Sequence, residues 1–322
     1  MKNFNYFPAK FITKNFILID GISRTGKLLL GSLICSFDRM ESLEFGENFE
    51  HLLPAVKFKK VNKRFAKAFL HNYLNQLIYN KFISRNVNFR LNDRTSIEQS
   101  RNPKIYYKRL KNLDGDIVLG RIQKEEPIIP IVTHDLCVNL DTLKILNFNF
   151  KMIEILRSPI EIVYSWYKRG LGRRYGKDKR IFTLLIEKKK KIYPWYNALI
   201  KKNLDKENEI EKCITIVETL VKNSVSKLRK SKSKIFVTTY DLITQDTRNE
   251  IEKISLFLNT KTNNQTYKFI KKENCPINYN EEILKKKFLF IQKKSSIKKF
   301  KKLIELEKQY RKNLYSLRTI KI

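Results

Sequence analysis

The chain has 322 residues, of which 42% are hydrophobic, with 67 Lys and Arg against 32 Asp and Glu. This length and apolar content allow a substantial core and favour a single α/β domain over residues 1–322, with helical additions. The most apolar stretch, Phe16–Phe37, contains three charged side chains, so we expect no membrane span. The N-terminus lacks the apolar run of a signal peptide, which predicts a cytoplasmic protein.

The formal net charge of +35 would suit a nucleic-acid-binding protein, because a basic surface releases counterions from phosphate backbones. However, Lys, Asn and Ile are abundant while Gly, Ala, Pro and Arg are sparse, a composition that an A/T-rich coding sequence produces without functional selection. Nucleic acid is therefore not the expected partner, although the charge attracts any anionic ligand. The four cysteines are far apart and form no metal-binding pair, so no metal site is expected: Cys35, Cys137, Cys213 and Cys275.

In chain order, the first element is the apolar run Phe16–Ile19, typical of a parallel strand that is buried on both faces. A glycine-bearing turn follows, and then a helix from Leu28 to Ile34. Three later apolar runs alternate with helix-like segments: Pro127–Val132, Met152–Leu156 and Ile235–Thr238. This alternation predicts an α/β, P-loop-type three-layer fold with a central parallel sheet flanked by helices.

The remaining segments are charged. Residues Ile181–Lys230 have a helical pattern in which Lys188–Lys191 form a solvated face, and residues from Asn280 onward predict one or two basic helices. An apolar stripe runs along this tail at Leu284, Phe288 and Ile291. We place the nucleotide-binding core at about 14–260 and a helical C-terminal extension at about 280–322.

A GxxxxGK motif lies between the first strand and helix. Its glycines let backbone N–H groups converge on phosphate oxygens, and the helix N-terminus adds partial positive charge. The alternative interpretation of the motif is a glycine turn that carries two exposed basic residues and binds no phosphate. We assign nucleotide binding to these residues of the motif: Gly21, Ser23, Arg24, Thr25, Gly26, Lys27 and Leu28.

Leu28 occupies the position after the P-loop lysine, where an enzyme that binds Mg²⁺ and a nucleoside triphosphate normally has Ser or Thr. A metal-held triphosphate is therefore disfavoured. A nucleotide that reacts without Mg²⁺ stays allowed, and sulfuryl transfer from a phosphosulfate is such a reaction. A P-loop ATP-dependent kinase remains the first alternative, and Mg²⁺ dependence distinguishes the two.

A second anion-binding element is predicted at Arg157, which ends a strand, and at Ser165, eight residues later in the following helix. The order Arg, Pro, Ser resembles the 3′-phosphate-binding element of the sulfotransferase family that uses 3′-phosphoadenosine 5′-phosphosulfate. Alternatively, Arg157 pairs with a carboxylate such as Glu161. A third match, Val237–Leu242, is similar to the late strand of the family and its Tyr-Glu-Asp-Leu motif.

The resemblance covers about residues 14–260. It implies the P-loop fold, the phosphosulfate donor and a hydroxyl acceptor on a small molecule or glycan, such as a sugar or glycolipid. This chain departs from the family pattern in having Lys27-Leu28 where the loop usually ends Thr-Thr. The C-terminal Gly-rich basic loop of many members is also missing, since the last glycine is Gly176. We expect the basic tail to replace its contact.

The acceptor hydroxyl must lose its proton, so a general base is needed. His134 follows a strand as Thr133-His134, 23 residues before Arg157, which is similar to the catalytic Thr-His of the cytosolic members. The alternative is a strand-end histidine that bonds to backbone or Asp135. Sugar-directed members use a Glu after the P-loop helix, which makes Glu47 the reserve candidate.

We therefore predict His134, Lys27 and Glu47 as catalytic candidates. A non-catalytic, basic nucleic-acid-binding protein is the second alternative, and a salt-sensitive gel shift without donor binding would favour it. The sequence leaves the acceptor and the oligomeric state open.

Overall fold

The computed structural model describes residues 4–145, 147, 150–174, 178–188, 190–231, 235–277 and 280–319. The strands are β1 (Phe16–Asp20), β2 (Glu44–Phe45), β3 (Ile129–Val132), β4 (Lys151–Leu156), β5 (Leu185–Lys188), β6 (Lys191–Pro194) and β7 (Ile235–Thr239). The α-helices are α1 (Lys27–Ile34), α2 (Glu47–Lys57), α3 (Lys63–Phe82), α4 (Pro103–Arg109), α5 (Asp116–Glu125), α6 (Leu140–Ile145), α7 (Pro159–Lys168), α8 (Glu209–Lys230), α9 (Tyr240–Gln245), α10 (Thr247–Leu258), α11 (Asn264–Lys272), α12 (Glu281–Lys294) and α13 (Ile297–Thr319). Short 3-10 helices cover Ile97–Gln99, Cys137–Asn139 and Trp195–Leu199.

The main sheet has the strand order β2-β3-β1-β4-β7, and its strands pair in parallel. Strand β1 is central, with Leu18 opposite Ile131 on one side and Met152 on the other. Because the strands are parallel, the loops that follow β1, β3, β4 and β7 emerge at one edge of the sheet. In open α/β sheets ligands bind at this edge.

Helices cover both faces of the sheet. Phe16 and Leu18 of β1 pack into a core with α2, α3, α7 and α8, whereas Ile17 and Ile19 pack into a second core with α1 and α10. Alternate side chains of one buried strand thus supply two cores, which is why its sequence is continuously apolar. The predicted three-layer α/β fold is confirmed.

The prediction of helix throughout Ile181–Lys230 is wrong for its first part. Strands β5 and β6 form an antiparallel hairpin there, with Lys188 opposite Lys191, and the helix begins only at Glu209. The charges of this segment are compatible with either structure, but Ile186 and Tyr193 are strand-forming residues that face each other across the ladder. The pairing of these side chains across the two strands favours the hairpin over a helix.

The C-terminal extension is helical, as predicted, and α12 and α13 pack against α7 and α8. Ile291, Leu303 and Leu306 are buried in this contact. Lys299 of α13 forms an ion pair with Glu207, just before α8. The tail is therefore attached to the two helices that follow the Arg157 strand.

The cysteine thiols are all buried and free of disulfide bonds. Among the helices of the described residues, none is long and apolar enough to cross a membrane. The described His, Cys, Asp and Glu side chains form no group of three or more that could hold a metal ion.

Candidate functional site

The predicted phosphate loop joins β1 to α1 at the carboxyl edge of the sheet. Its glycines lie in the left-handed region, with φ of 154° at Gly21 and 102° at Gly26. A Cβ atom at Gly26 would lie 2.5 Å from the ring of Tyr240, and one at Gly21 would lie 2.5 Å from the carbonyl oxygen of Ile155. Both the conformation and the space therefore require glycine.

The loop is held by hydrogen bonds to one carbonyl. The Ile22 oxygen accepts from the backbone N–H of Thr25 at 3.2 Å, from Thr25 Oγ1 at 2.9 Å and from Lys27 Nζ at 2.9 Å. Within the described chain, the N–H groups of Gly26, Lys27 and Leu28 have no acceptor. These groups lie at the N-terminus of α1, where free N–H groups and the helix dipole bind anions.

Lys27 lies below the loop rather than at its surface. Its side chain is buried, and burial lowers the pKa of the amine, while the nearby carboxyls of Asp20, Asp135 and Glu154 oppose that shift. Burial also raises the pKa of Asp135 to about 8, against the effect of Lys27. The structure thus places the Lys27 amine between these buried carboxyls and the Ile22 carbonyl, and its hydrogen bond to that carbonyl stabilises the loop.

Arg24, Arg157 and Ser165 meet above the loop. Arg24 Nε donates to Ser165 Oγ at 3.1 Å, and Arg157 Nη1 donates to the backbone oxygen of Arg24 at 3.1 Å. Partial burial lowers the pKa of Arg24, and the positive charges of Arg169 and Arg157 lower it further. Three guanidinium groups therefore converge here, and their mutual repulsion would be relieved by an anion.

The ion pair of Arg157 with Glu161, which the sequence offered as the alternative to phosphate binding, is also present. Arg157 Nε and Nη2 donate to the Glu161 carboxylate at 3.2 and 3.0 Å, and the guanidinium lies 3.8 Å from the ring centroid of Tyr240. Lys287 of α12 donates to the same carboxylate at 2.5 Å. Burial raises the pKa of Glu161, but the hydrogen bonds and charges of Arg157 and Lys287 outweigh it, so the net shift is downward. The Glu161 carboxylate thus binds two cations, Arg157 and Lys287. Through Lys287 the C-terminal extension contacts this site.

His134 lies beyond the end of β3, and its hydrogen-bond partner is Glu50 of α2. The backbone N–H of His134 donates to Glu50 Oε1 at 2.8 Å, and Nδ1 lies 2.9 Å from the same oxygen. A carboxylate can only accept, so in the neutral imidazole Nδ1 carries the proton and Nε2 has a free lone pair. The partners considered from the sequence, Asp135 and the backbone, do not take this role.

Glu47 begins α2, one turn before Glu50, and partial desolvation raises the pKa of its carboxyl. The other acidic and histidine side chains near it have partners elsewhere: Glu44 forms an ion pair with Lys81 at 3.1 Å, and His51 Nε2 lies 3.5 Å from the Phe182 oxygen. Glu47 therefore stays the reserve candidate for the base.

Sequence reasoning missed three residues of this site. Glu50 is three residues after Glu47 and so lies on the same side of a helix, a signal that could have included it. Arg169 is four residues after Ser165, which gives the same kind of signal. Nothing in the sequence indicated that Lys287 would reach Glu161, 126 residues away.

A glycine loop between a central strand and a helix, with a second arginine directly after the neighbouring strand, defines a P-loop α/β protein. The family model described as sulfotransferase domain matches residues 14–312, so the chain belongs to the sulfotransferase domain family. This assigns it to a class of enzymes that transfer sulfuryl groups. None of the curated proteins matches the chain.

The solved structures that are similar to the chain include two sulfotransferase domains. The sulfotransferase domain from the curacin biosynthetic pathway is 15% identical, with a TM-score of 0.42, over 81% of this chain and 77% of that one. The sulfotransferase domain from the Synechococcus PCC 7002 olefin synthase is 14% identical, with a TM-score of 0.41, over 83% of this chain and 78% of that one.

Proposed function

We propose that this enzyme transfers the sulfuryl group of 3′-phosphoadenosine 5′-phosphosulfate to a hydroxyl acceptor. The observation that carries the proposal is the position of Arg24, which contacts Ser165 and Arg157 while its own backbone belongs to the phosphate loop. These contacts support the proposal that the two predicted anion-binding elements act on one nucleotide. A donor with phosphates at both its 5′ and 3′ positions needs two such elements.

The residues fit this donor without a metal ion. The N–H groups of Gly26, Lys27 and Leu28 would hold the 5′ end of the nucleotide, and Arg24, Arg157 and Ser165 would hold the 3′-phosphate. When bound, the donor supplies an activated sulfuryl group. As this group departs, the N–H groups and the dipole at the N-terminus of α1 would stabilise the negative charge that develops on the leaving 5′-phosphate.

His134 is the proposed general base. Its Nε2 lone pair would accept the proton of the acceptor hydroxyl, and the Glu50 carboxylate, bonded to Nδ1, would stabilise the imidazolium that forms. Glu50 also fixes the ring, because its oxygen binds both the backbone and the side chain of His134. We propose a small-molecule or glycan hydroxyl as the acceptor. We also propose that the chain forms one catalytic domain that includes the C-terminal extension, and the family match over residues 14–312 supports this.

Thermal unfolding tests the donor. A ligand that binds the folded state alone raises the melting temperature by mass action. We expect 3′-phosphoadenosine 5′-phosphate, the desulfated product, to stabilise the protein more than ATP with Mg²⁺ at equal concentration. Adenosine 5′-monophosphate is the control, since it lacks the 3′-phosphate. Equal or greater stabilisation by ATP with Mg²⁺ would favour a kinase instead.

A further inference from the structure

Residues 51–92 form the longest stretch of the chain without an acidic residue, and residues 1–19 also contain none. About one residue in ten of the whole chain is acidic. The longer segment includes the whole of α3.

The described part of the N-terminal segment runs along α3 and is attached to it. Arg64 Nη1 of the helix donates to Asn5 Oδ1 at 2.9 Å, and the backbone N–H of Ile12 donates to Asn75 Oδ1 at 3.0 Å. The two helix residues are about three turns apart. The two segments without acidic residues therefore form one surface, and the backbone of the N-terminal segment is fixed on it.

An exposed aromatic cluster lies on this surface. We call it the aromatic knob: ring contacts join Phe4, Tyr6, Phe65 and Phe69, and the exposed Phe7 follows Tyr6 in the chain. Phe4 is 76% and Phe7 90% exposed, and the ring centroids of Tyr6 and Phe65 are 5.0 Å apart. Such a contiguous apolar surface on a fixed backbone is unfavourable in water, and surfaces of this kind mark interaction sites.

Basic residues adjoin the knob in the sequence, just before α3 and in its first two turns. In the part of the chain that the structure describes, five basic side chains near the start of α3 form no ion pair: Lys59, Lys60, Lys63, Arg64 and Lys67. Lys63 and Arg64 begin α3, which has no acidic residue in its first turn, so their charges oppose the helix dipole. These charges are unfavourable for the helix dipole and are available to an anionic partner.

We propose that the aromatic knob and its cations bind the surface of an anionic phospholipid bilayer. The rings would enter the boundary between head groups and acyl chains, and the cations would contact the lipid phosphates. A bilayer is favoured over single-stranded RNA because the rings pack edge to face, at 78° for Phe4 and Tyr6 and at 76° for Tyr6 and Phe65. They offer a convex apolar surface rather than parallel faces for base stacking.

Vesicle co-sedimentation of the full chain tests this proposal. Phosphatidylcholine vesicles that contain phosphatidylglycerol should carry the protein into the pellet, vesicles of phosphatidylcholine alone should not, and high salt should release it. Phe4→Ser combined with Phe7→Ser should lower the partition coefficient by roughly tenfold or more. Lys63→Glu combined with Lys67→Glu should lower it by a similar factor.

Matched variants outside the surface provide the controls. Leu256→Ser changes an equally exposed apolar side chain on α10, and Lys301→Glu combined with Lys308→Glu reverses two exposed charges on α13. Neither should alter the partition. The proposal is overturned if wild-type protein does not bind anionic vesicles, if the control variants lose binding equally, or if an RNA oligonucleotide binds while the vesicles do not. None of these changes touches the nucleotide site, so the result is independent of the proposed sulfuryl transfer.

Discussion

The guanidinium of Arg157 is fixed before any ligand arrives. Two of its nitrogens donate to Glu161, a third bond reaches the Arg24 backbone, and its plane lies over Tyr240. A side chain ordered in this way loses little conformational entropy on binding. Its remaining N–H groups can therefore contribute nearly their full hydrogen-bond energy to a bound phosphate.

Arg157→Ala should weaken binding of the desulfated donor product by roughly ten- to a hundredfold, because a charge-assisted hydrogen bond contributes about 1.5 to 3 kcal/mol. Turnover at saturating donor should change much less, since Arg157 is proposed to bind the 3′-phosphate, which does not take part in the reaction. Isothermal titration and initial rates measure the two effects. Arg101→Ala, which removes an ion pair with Asp38, is the control. Unchanged nucleotide affinity in the folded variant would contradict the assignment.

His134→Ala should reduce turnover by about a hundredfold or more and leave product binding nearly intact, because the proposed base acts on the acceptor. Glu50→Gln should reduce turnover less, since an amide oxygen still accepts from Nδ1 but supplies no negative charge. Steady-state rates with each variant, including Glu47→Ala, give the comparison. If His134→Ala retains turnover while Glu47→Ala abolishes it, the base is the glutamate.

The raised pKa of the Asp135 carboxyl predicts how the stability of the fold depends on pH. Its carboxyl has a pKa of about 8 in the fold, against 3.8 ordinarily, so between these values the folded state holds a proton that the unfolded chain has released. Its contribution to the free energy of unfolding therefore falls as pH rises from about 4 to about 8, by up to about 1.4 kcal/mol per pH unit. Asp135→Asn cannot titrate and keeps a side chain suited to the left-handed φ of 57°.

Urea unfolding of both proteins across this pH range checks the prediction. The stability of Asp135→Asn relative to wild type should increase with pH up to about 8 and then become constant. The exposed Asp116→Asn is the control and should show no such trend. Parallel curves for wild type and Asp135→Asn would contradict a protonated carboxyl at this position.

At the scale of elements, the start of α7 depends on the tail. Ser158 precedes the helix, and its hydroxyl donates to Glu307 Oε2 of α13 at 2.7 Å; the backbone N–H of Ile160 lies 3.4 Å from the same oxygen. A buried carboxylate at a helix N-terminus is favourable, both as an acceptor and through the helix dipole. The tail thereby positions the helix that carries Ser165.

Glu307→Ala should lower the free energy of unfolding by about 1 to 3 kcal/mol, because it leaves the buried Ser158 hydroxyl without its acceptor. Chemical denaturation measures this change. Glu305 lies on the same helix, two residues earlier, and is exposed, so Glu305→Ala should change stability by less than about 0.5 kcal/mol. Equal effects of the two variants would mean that the contact with α7 is not stabilising.

The elements that the sequence predicted well are those whose signals are contiguous. Strand, glycine loop and helix follow one another from Phe16 to Ile34, and Arg157 and Ser165 lie on consecutive elements, so chain order alone brings each motif together. The contact of Glu50 with His134 joins residues 84 apart and depends on the direction of α2. No local pattern encodes that direction. The roles of the site residues stay predictions.

At the scale of the whole molecule, the net charge of +35 creates a positive field that extends beyond the site. At physiological ionic strength this field decays over a Debye length of about 8 Å, so it acts mainly on the approach of a ligand and less on the contacts of the bound state. Arg24, Arg157 and Arg169 add to the field at the mouth of the phosphate loop. The charge, whatever its origin in composition, should thus accelerate capture of an anionic nucleotide.

Association of the desulfated donor product should therefore slow by about tenfold between low and physiological salt, whereas its dissociation rate should change much less. Trp166 offers an intrinsic signal, because its indole N–H donates to the Ser23 oxygen in the loop at 2.9 Å, so stopped-flow fluorescence can follow binding. Adenosine, which has no charge, is the control and should associate at a rate independent of salt. A dissociation rate that rises with salt as steeply as association falls would place the electrostatic effect in the bound contacts instead.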